Sequence, residues 1–115
     1  MYLVSFDIDG TLEAGDPPGP ITFDIVRRAK ELGYVVGSAS DRTLSDQRKM
    51  WETAGIEVHF VANKHRLHLI RDEFNIARML HIGDTTVDEF YAKQAGFDFW
   101  FVHELPDETS DAWIF

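Results

Sequence analysis

Two carboxylates separated by one aliphatic residue interrupt the first apolar run of the chain: Asp7 and Asp9 in Phe6-Asp7-Ile8-Asp9-Gly10-Thr11-Leu12. Alternate side chains of an extended chain point the same way, so both acids project from one face if strand geometry persists through them. Unit charges ~4 Å apart repel by about 4 kcal/mol at an effective dielectric of roughly 20. A cation must hold such a pair together, or one member must keep a proton. Either outcome serves catalysis. Alone, the stretch also reads as a strand end running into a turn, because Asp-Gly is a common turn dipeptide.

Further reactive groups recur downstream. Ser40, with Ser38 as a competitor two residues earlier, is followed by Asp41 and Arg42, and then come Lys64, Asp84 and Asp88. Each has a plain alternative. Ser40 can cap the helix that follows it, and Lys64 can be a solvated lysine. Asp84 and Asp88 suit the first turn of a helix, where the dipole favours acids. Thr11 can brace the turn after the acids. His65 and His68 flank Lys64 without the i, i+4 spacing of a metal-binding pair, which favours surface or interface roles.

The elements that must position these groups follow from periodicity. Tyr2 to Phe6 reads as a strand and Glu13 to Pro20 as a loop rich in Pro and Gly. A helix is predicted from Ile21 to Leu32, with Gly33 as its C-terminal cap. Tyr34 to Ala39 forms a second strand that ends near Ser40. A helix from about Ser45 to Ala54 stops at Gly55. Val58, Phe60 and Val61 mark a third strand closing at Asn63-Lys64, and Leu67, Ile70 and Phe74 a third helix. Met79 to Ile82 is a short fourth strand ending in Gly83-Asp84. Thr86-Val87-Asp88-Glu89 has the form of a capping box opening a helix to Ala95. Phe97 to Val102 is a fifth strand, and the remainder reads as a tail.

Strands alternating with short helices imply a parallel sheet, and right-handed crossovers put helices on both of its faces. The expectation is an α/β fold, a three-layer Rossmann-like sandwich of about five parallel strands. Four strands end in a polar residue: Asp7, Ser40, Lys64 and Asp84. In open parallel sheets ligands bind beyond the carboxyl ends of the strands, and packing alone does not explain four reactive groups delivered to one rim.

At 115 residues and 13.2 kDa the chain is expected to form one domain, residues 1–115. Its formal net charge of −9 gives no general attraction to nucleic acid or to anionic membranes. No apolar run approaches the roughly 20 residues that span a bilayer, and the N-terminal run lacks the features of a signal peptide. The absence of cysteine excludes disulfides and thiolate metal sites, which fits a reducing cytoplasm.

The chain resembles the haloacid dehalogenase superfamily of phosphohydrolases over nearly its whole length. Asp7, Asp9 and Thr11 meet the family's Asp-x-Asp-x-Thr, and Gly83-Asp84-Thr85-Thr86-Val87-Asp88 meets its Gly-Asp-x-x-x-Asp. Ser40 stands at the Ser/Thr that ends the second strand, and Lys64 at the Lys after the third. The resemblance implies a magnesium-dependent phosphatase with Asp7 as nucleophile and an aspartyl-phosphate intermediate. It implies that Asp7 and Asp84 ligate a magnesium ion (Mg2+) through their side chains and Asp9 through its backbone carbonyl, with Asp88 fixing the arrangement directly or through water. Asp9 would be the general acid and base. Four carboxylates against a divalent cation and Lys64 leave an excess of negative charge, so a proton is expected on Asp9. Lys64 and Ser40 would hold phosphate oxygens, helped by backbone amides near Asp41. Arg42 would touch substrate or pair with a nearby acid. An acid at position 9 favours phosphate chemistry over dehalogenation. The same intermediate would serve a phosphotransferase, and a non-catalytic phosphate- or metal-binding module would keep the metal site without needing the Asp9 side chain.

Members of that family commonly carry a cap domain, but neither the Glu13–Pro20 gap nor the Lys64–Met79 gap has room for one. The site is expected to be open, or closed by a neighbouring subunit. An open site suits bulky substrates, whereas the acidic balance disfavours nucleic acid; a phosphorylated small molecule is favoured over a macromolecule. Phe97, Phe99, Trp100, Phe101, Trp113 and Phe115 crowd the C-terminal end, and a homo-oligomer contact through this region is expected beyond what the core takes up.

Overall fold

The first strand sets the layering. In β1 (Tyr2–Phe6), Val4 and Phe6 enter one hydrophobic cluster and Leu3 enters another, as alternation along an extended chain requires. The computed structural model describes residues 1–115. It continues through α1 (Phe23–Glu31), β2 (Val35–Ser40), α2 (Leu44–Ala54), β3 (Phe60–Asn63) and a 3-10 turn (Lys64–Arg66). Then follow α3 (Leu67–Phe74), β4 (Arg78–Gly83), α4 (Thr86–Gln94), β5 (Asp98–Phe101) and a second 3-10 turn (Val102–Glu104).

The fold is α/β, with helices on both faces of an all-parallel five-stranded sheet in the order β3-β2-β1-β4-β5. It is compatible with a three-layer Rossmann-like sandwich. The chain winds outward from β1 to β3, then crosses back to lay β4 against the free edge of β1. Val26 and Ala29 of α1 and Trp51 of α2 join Phe6 in one cluster, while Leu67 and Ile70 of α3 and Ala92 of α4 join Leu3 in the other. The reversal falls between β1 and β4. Connections leaving those two strands diverge to opposite faces and open a crevice at their carboxyl ends.

Helix boundaries follow their caps. Thr22 accepts a hydrogen bond from the Ile25 amide, so α1 begins at Phe23 rather than Ile21. Thr43 does the same for α2 through the Asp46 amide, and Gly55 ends that helix in the left-handed conformation. The capping box of α4 lies one residue earlier than the sequence pattern predicts. Thr85 is the cap and Asp88 its reciprocal partner, because the carboxylate of Asp88 is drawn inward to the Thr85 amide.

The C-terminal tail packs back onto the sheet. Nothing helical covers β4 and β5 on the α1/α2 face. Trp100, Leu105, Ile114 and Phe115 pack there against the cluster containing Phe6. Trp100 stacks on Trp113 with centroids 5.8 Å apart. Phe115 packs against Phe6 and Tyr34, and the Tyr34 hydroxyl donates to the Ile114 carbonyl. Phe97 and Phe99 pack on the opposite face. Part of the aromatic density is thus taken up by the core: Phe97 is buried, while Phe99, Trp100, Trp113 and Phe115 remain half-buried. No helix is long and apolar enough to cross a membrane.

Candidate active site

Parallel pairing builds the site. The β1–β4 register sets Phe6 beside Ile82, and the Asp7 amide donates to the Ile82 carbonyl at 2.9 Å. The residue after β1 therefore lies beside the loop after β4. Gly10, at φ +72°, lets the turn press against that loop: a Cβ there would sit 2.0 Å from Asp84 Oδ2. Carboxylate oxygens of Asp7, Asp84 and Asp88 lie within 4.8 Å of one another.

Asp88 is held from every side. His81 Nε2 lies 2.8 Å from its Oδ1, and the Thr85 amide and hydroxyl donate to its Oδ2 at 3.2 and 2.9 Å. Lys64 Nζ is 3.3 Å from each oxygen. Gly83 makes room for this carboxylate, since a Cβ there would fall 2.3 Å from Asp88 Cγ. The second ring nitrogen of His81 meets Ser5 Oγ at 2.9 Å. The neutral Nε2–H tautomer satisfies both contacts, with the Ser5 hydroxyl donating to Nδ1. Ser5, His81 and Asp88 are fully buried.

Lys64, almost as buried, lies 3.2 Å from Asp7 and 3.7 Å from Asp41, with Asp88 between. One cation thus serves three acids, and Asp84 shares none of these bonds. The electrostatics follow. Burial, reinforced by the charge on Asp88, pushes Asp7 up to about 8 despite Lys64 and the Ile8 amide. Burial also opposes ionisation of Asp88, but the hydrogen bonds from His81 and Thr85 and the charge on Lys64 hold it well below the usual carboxylate range. Lys64 is raised, because the acids around it outweigh its desolvation.

Asp9 is handled separately. Its side chain accepts from Arg42 Nη2 at 2.6 Å, from Arg42 Nε at 3.3 Å and from the Asp16 amide at 2.8 Å. The Arg42 hydrogen bonds hold Asp9 below the usual carboxylate range. With no cation on the carboxylates, Asp9 is thus the stronger acid and Asp7 the weaker. Arg42 is a positive charge on Asp9 that a count of Asp7, Asp9, Asp84, Asp88 and Lys64 leaves out.

Ser40 is buried at the end of β2, and its Oγ accepts from the Arg42 amide at 3.1 Å, which leaves the hydroxyl proton free to donate. Ser38 has no such freedom. Trp51 Nε1 donates to its Oγ at 3.0 Å, so its own proton goes to Gln47 Oε1 at 2.7 Å. Gln47 Nε2 then donates to the carbonyls of Arg42 and Ala62, and Asn63 Nδ2 to those of Ser40 and Arg42. This amide cluster fixes the loop carrying Ser40, Asp41 and Arg42. The Asp41 side chain is 81% exposed and reaches the site only through Lys64. Thr11 is fully buried with its hydroxyl unpartnered, and braces the turn through backbone bonds to Ile8 and Ile21. His65 and His68 line a cleft between α3 and α4 and belong to no metal-binding cluster.

Sequence reasoning missed His81, Ser5, Gln47, Trp51 and Asn63. A signal existed for the first two. Each is a polar residue inside an otherwise apolar strand, and they face one another in the β1–β4 register. Gln47 carried none, because glutamine in a helix is normally solvated. No protein-family model and no curated protein matches the chain, so the motif resemblance rests on these residues alone.

Proposed function

We propose that the chain is a magnesium-dependent phosphate monoester hydrolase that works through an aspartyl-phosphate on Asp7. The observation that carries this reading is the closeness of Asp7, Asp84 and Asp88 at the strand ends, with Lys64 against Asp7 and a second acid, Asp9, held apart from them. The donor set fits a hard divalent cation, since it consists of carboxylates with too little positive charge among them. Asp7 and Asp84, with the Asp9 carbonyl, would hold the ion. Asp88 has both oxygens committed to His81, Thr85 and Lys64 and serves as their organiser. When bound, magnesium supplies charge neutralisation for a carboxylate approaching a phosphate dianion.

The residues divide the remaining work. Ionised once a bound cation offsets its charge, Asp7 would attack phosphorus through Oδ as the bond from phosphorus to the leaving oxygen breaks. Asp9, protonated from solvent once Arg42 lets go of it, would give that proton to the leaving oxygen. It then takes a proton from water, which attacks the same phosphorus and frees Asp7 and phosphate. Transfer of the Arg42 hydrogen bonds from Asp9 to a phosphate oxygen would release Asp9 to carry that proton. Lys64 and the Ser40 hydroxyl neutralise and orient the remaining oxygens.

The test is phosphate release from a panel of monoesters with and without magnesium, run beside Asp7→Asn. Wild-type release that needs magnesium, together with a phosphorylated protein after acid quenching, is the expected result. Asp7→Asn should do neither. Release that survives in the variant overturns the assignment.

A further inference from the structure

The direction of in-line displacement has a structural consequence for the substrate. The leaving oxygen departs on the side opposite the attacking Asp7 and must come within reach of Asp9, its acid. Asp9 is flanked on one side by the loop that supplies the Asp16 amide and on the other by Arg42. Between that loop and α2 lies a cleft of about 480 Å³, with Arg42 in its wall. Ala14 from the loop, Phe23 from the start of α1, and Met50 and Ala54 from α2 form the larger, apolar part of its surface, and Asp46, Lys49 and Thr53 of α2 complete the lining. Phe23 is anchored edge-on against buried Trp51, with centroids 5.8 Å apart, which stiffens one wall. Clefts of similar size around Arg48, Ile56 and Glu57 hold no residue bonded to a site carboxylate, whereas Arg42 of this one is bonded to Asp9.

We infer that this cleft receives the alcohol portion of the substrate, and that the alcohol is apolar or aromatic rather than a polyol. The inference rests on the hydrolase reading and adds the substrate class to it. A cleft of this size holds a group as large as a ring with a short side chain, and its lining rewards burial of apolar surface. A sugar would lay hydroxyls against Phe23, Met50 and Ala54, because Arg42, Asp46, Lys49 and Thr53 supply the smaller part of the surface. Arg42 belongs to both compartments: its guanidinium lies on Asp9, and the residue also lines the cleft.

The experiment compares 2-phenylethyl phosphate with glycerol 1-phosphate, both primary alkyl monoesters, so leaving-group acidity differs little. The expected ratio of kcat/KM is at least about tenfold in favour of the phenyl compound, the discrimination an apolar pocket gives for a small group. Met50→Glu should collapse that ratio, as should Thr53→Glu at an exposed position on the cleft rim. A variant that merely folds less well lowers both substrates together and leaves the ratio intact. Turnover of both compounds without preference, or a ratio unchanged in both variants, overturns the cleft assignment and leaves the hydrolase reading standing. Release from neither compound nor any other monoester overturns the hydrolase reading, and this inference falls with it.

Discussion

Two buried polar networks lie near the same rim, on opposite faces of the sheet, and they are built on different principles. On the α1/α2 face, Trp51, Ser38, Gln47 and the carbonyls of Arg42 and Ala62 form a neutral chain. The indole can only donate, so every later donor and acceptor has its role fixed, and the chain closes with nothing left over. On the α3/α4 face, Ser5, His81, Asp88, Lys64 and Asp7 form a charged chain that does not close. Its lysine is shared among three acids, and Asp84 has no share of it. A saturated network holds a loop in place. An unbalanced one stores affinity for whatever restores the balance, and an excess of carboxylates over cations favours a positive charge.

Asp88→Ala breaks the charged network at its most connected point. It leaves the buried His81 N–H and the Thr85 amide and hydroxyl without an acceptor and strips Lys64 of one of its acids, at an expected cost of about 3–5 kcal/mol in chemical unfolding, with loss of phosphate release. A cost below 1 kcal/mol, on the order of an exposed pair, would show that the network is not what holds the site. Gln47→Leu breaks the neutral network and orphans the Arg42 and Ala62 carbonyls, at about 1–3 kcal/mol. The contrast between the networks predicts that this second cost is the same at pH 5 and pH 8, because none of its groups titrates there.

Asp7→Asn probes the imbalance itself. Between the ordinary value of 3.8 and about 8 the folded protein binds more protons at Asp7 than the unfolded chain does. Magnesium-free stability should therefore fall as pH rises through that window. Asp88 acts oppositely and lower: its contribution is present above its ordinary range and is lost as pH falls toward about 2. Thermal unfolding in chelator should show a falling Tm from pH 5 to pH 8 in wild type and a flatter profile in Asp7→Asn, with the variant the more stable at pH 8. Magnesium should raise Tm in wild type at pH 8 and do so less in the variant. Equal slopes in the two proteins would mean that Asp7 is not strained by burial.

The smallest effect belongs to the link between the networks. Arg42→Lys loses the two-pronged grip on Asp9, a partly exposed pair worth about 0.2–1 kcal/mol. Carboxyl titration by NMR should find Asp9 higher in the variant. An unmoved Asp9 would mean that the Asp16 amide, not Arg42, sets its acidity.

Much of this molecule was legible in advance. Apolar alternation in Tyr2–Phe6, the glycines after the helices and the polar residue closing four of the five strands gave the element order and placed Asp7, Ser40, Lys64 and Asp84 at one rim. Ser38 and Ser40 were indistinguishable by type and spacing; the indole of Trp51, thirteen residues on, separates them by consuming one hydroxyl. The aromatic tail read as surplus because sequence does not show which part of a sheet lacks a helix.

The sequence by itself determined which groups arrive at the strand ends, because alternation, caps and turns act over a few residues. Only the tertiary structure decided which of them meet. Strand order is not local: β4 returns to pair with β1, and that pairing sets His81 against Ser5 and Asp84 against Asp7 across more than 70 residues. The same assembly draws Arg42 onto Asp9 and leaves Asp7 buried with a third of a lysine. The two neighbouring carboxylates, alike in sequence, are made unlike by their surroundings, since burial raises one and a guanidinium lowers the other.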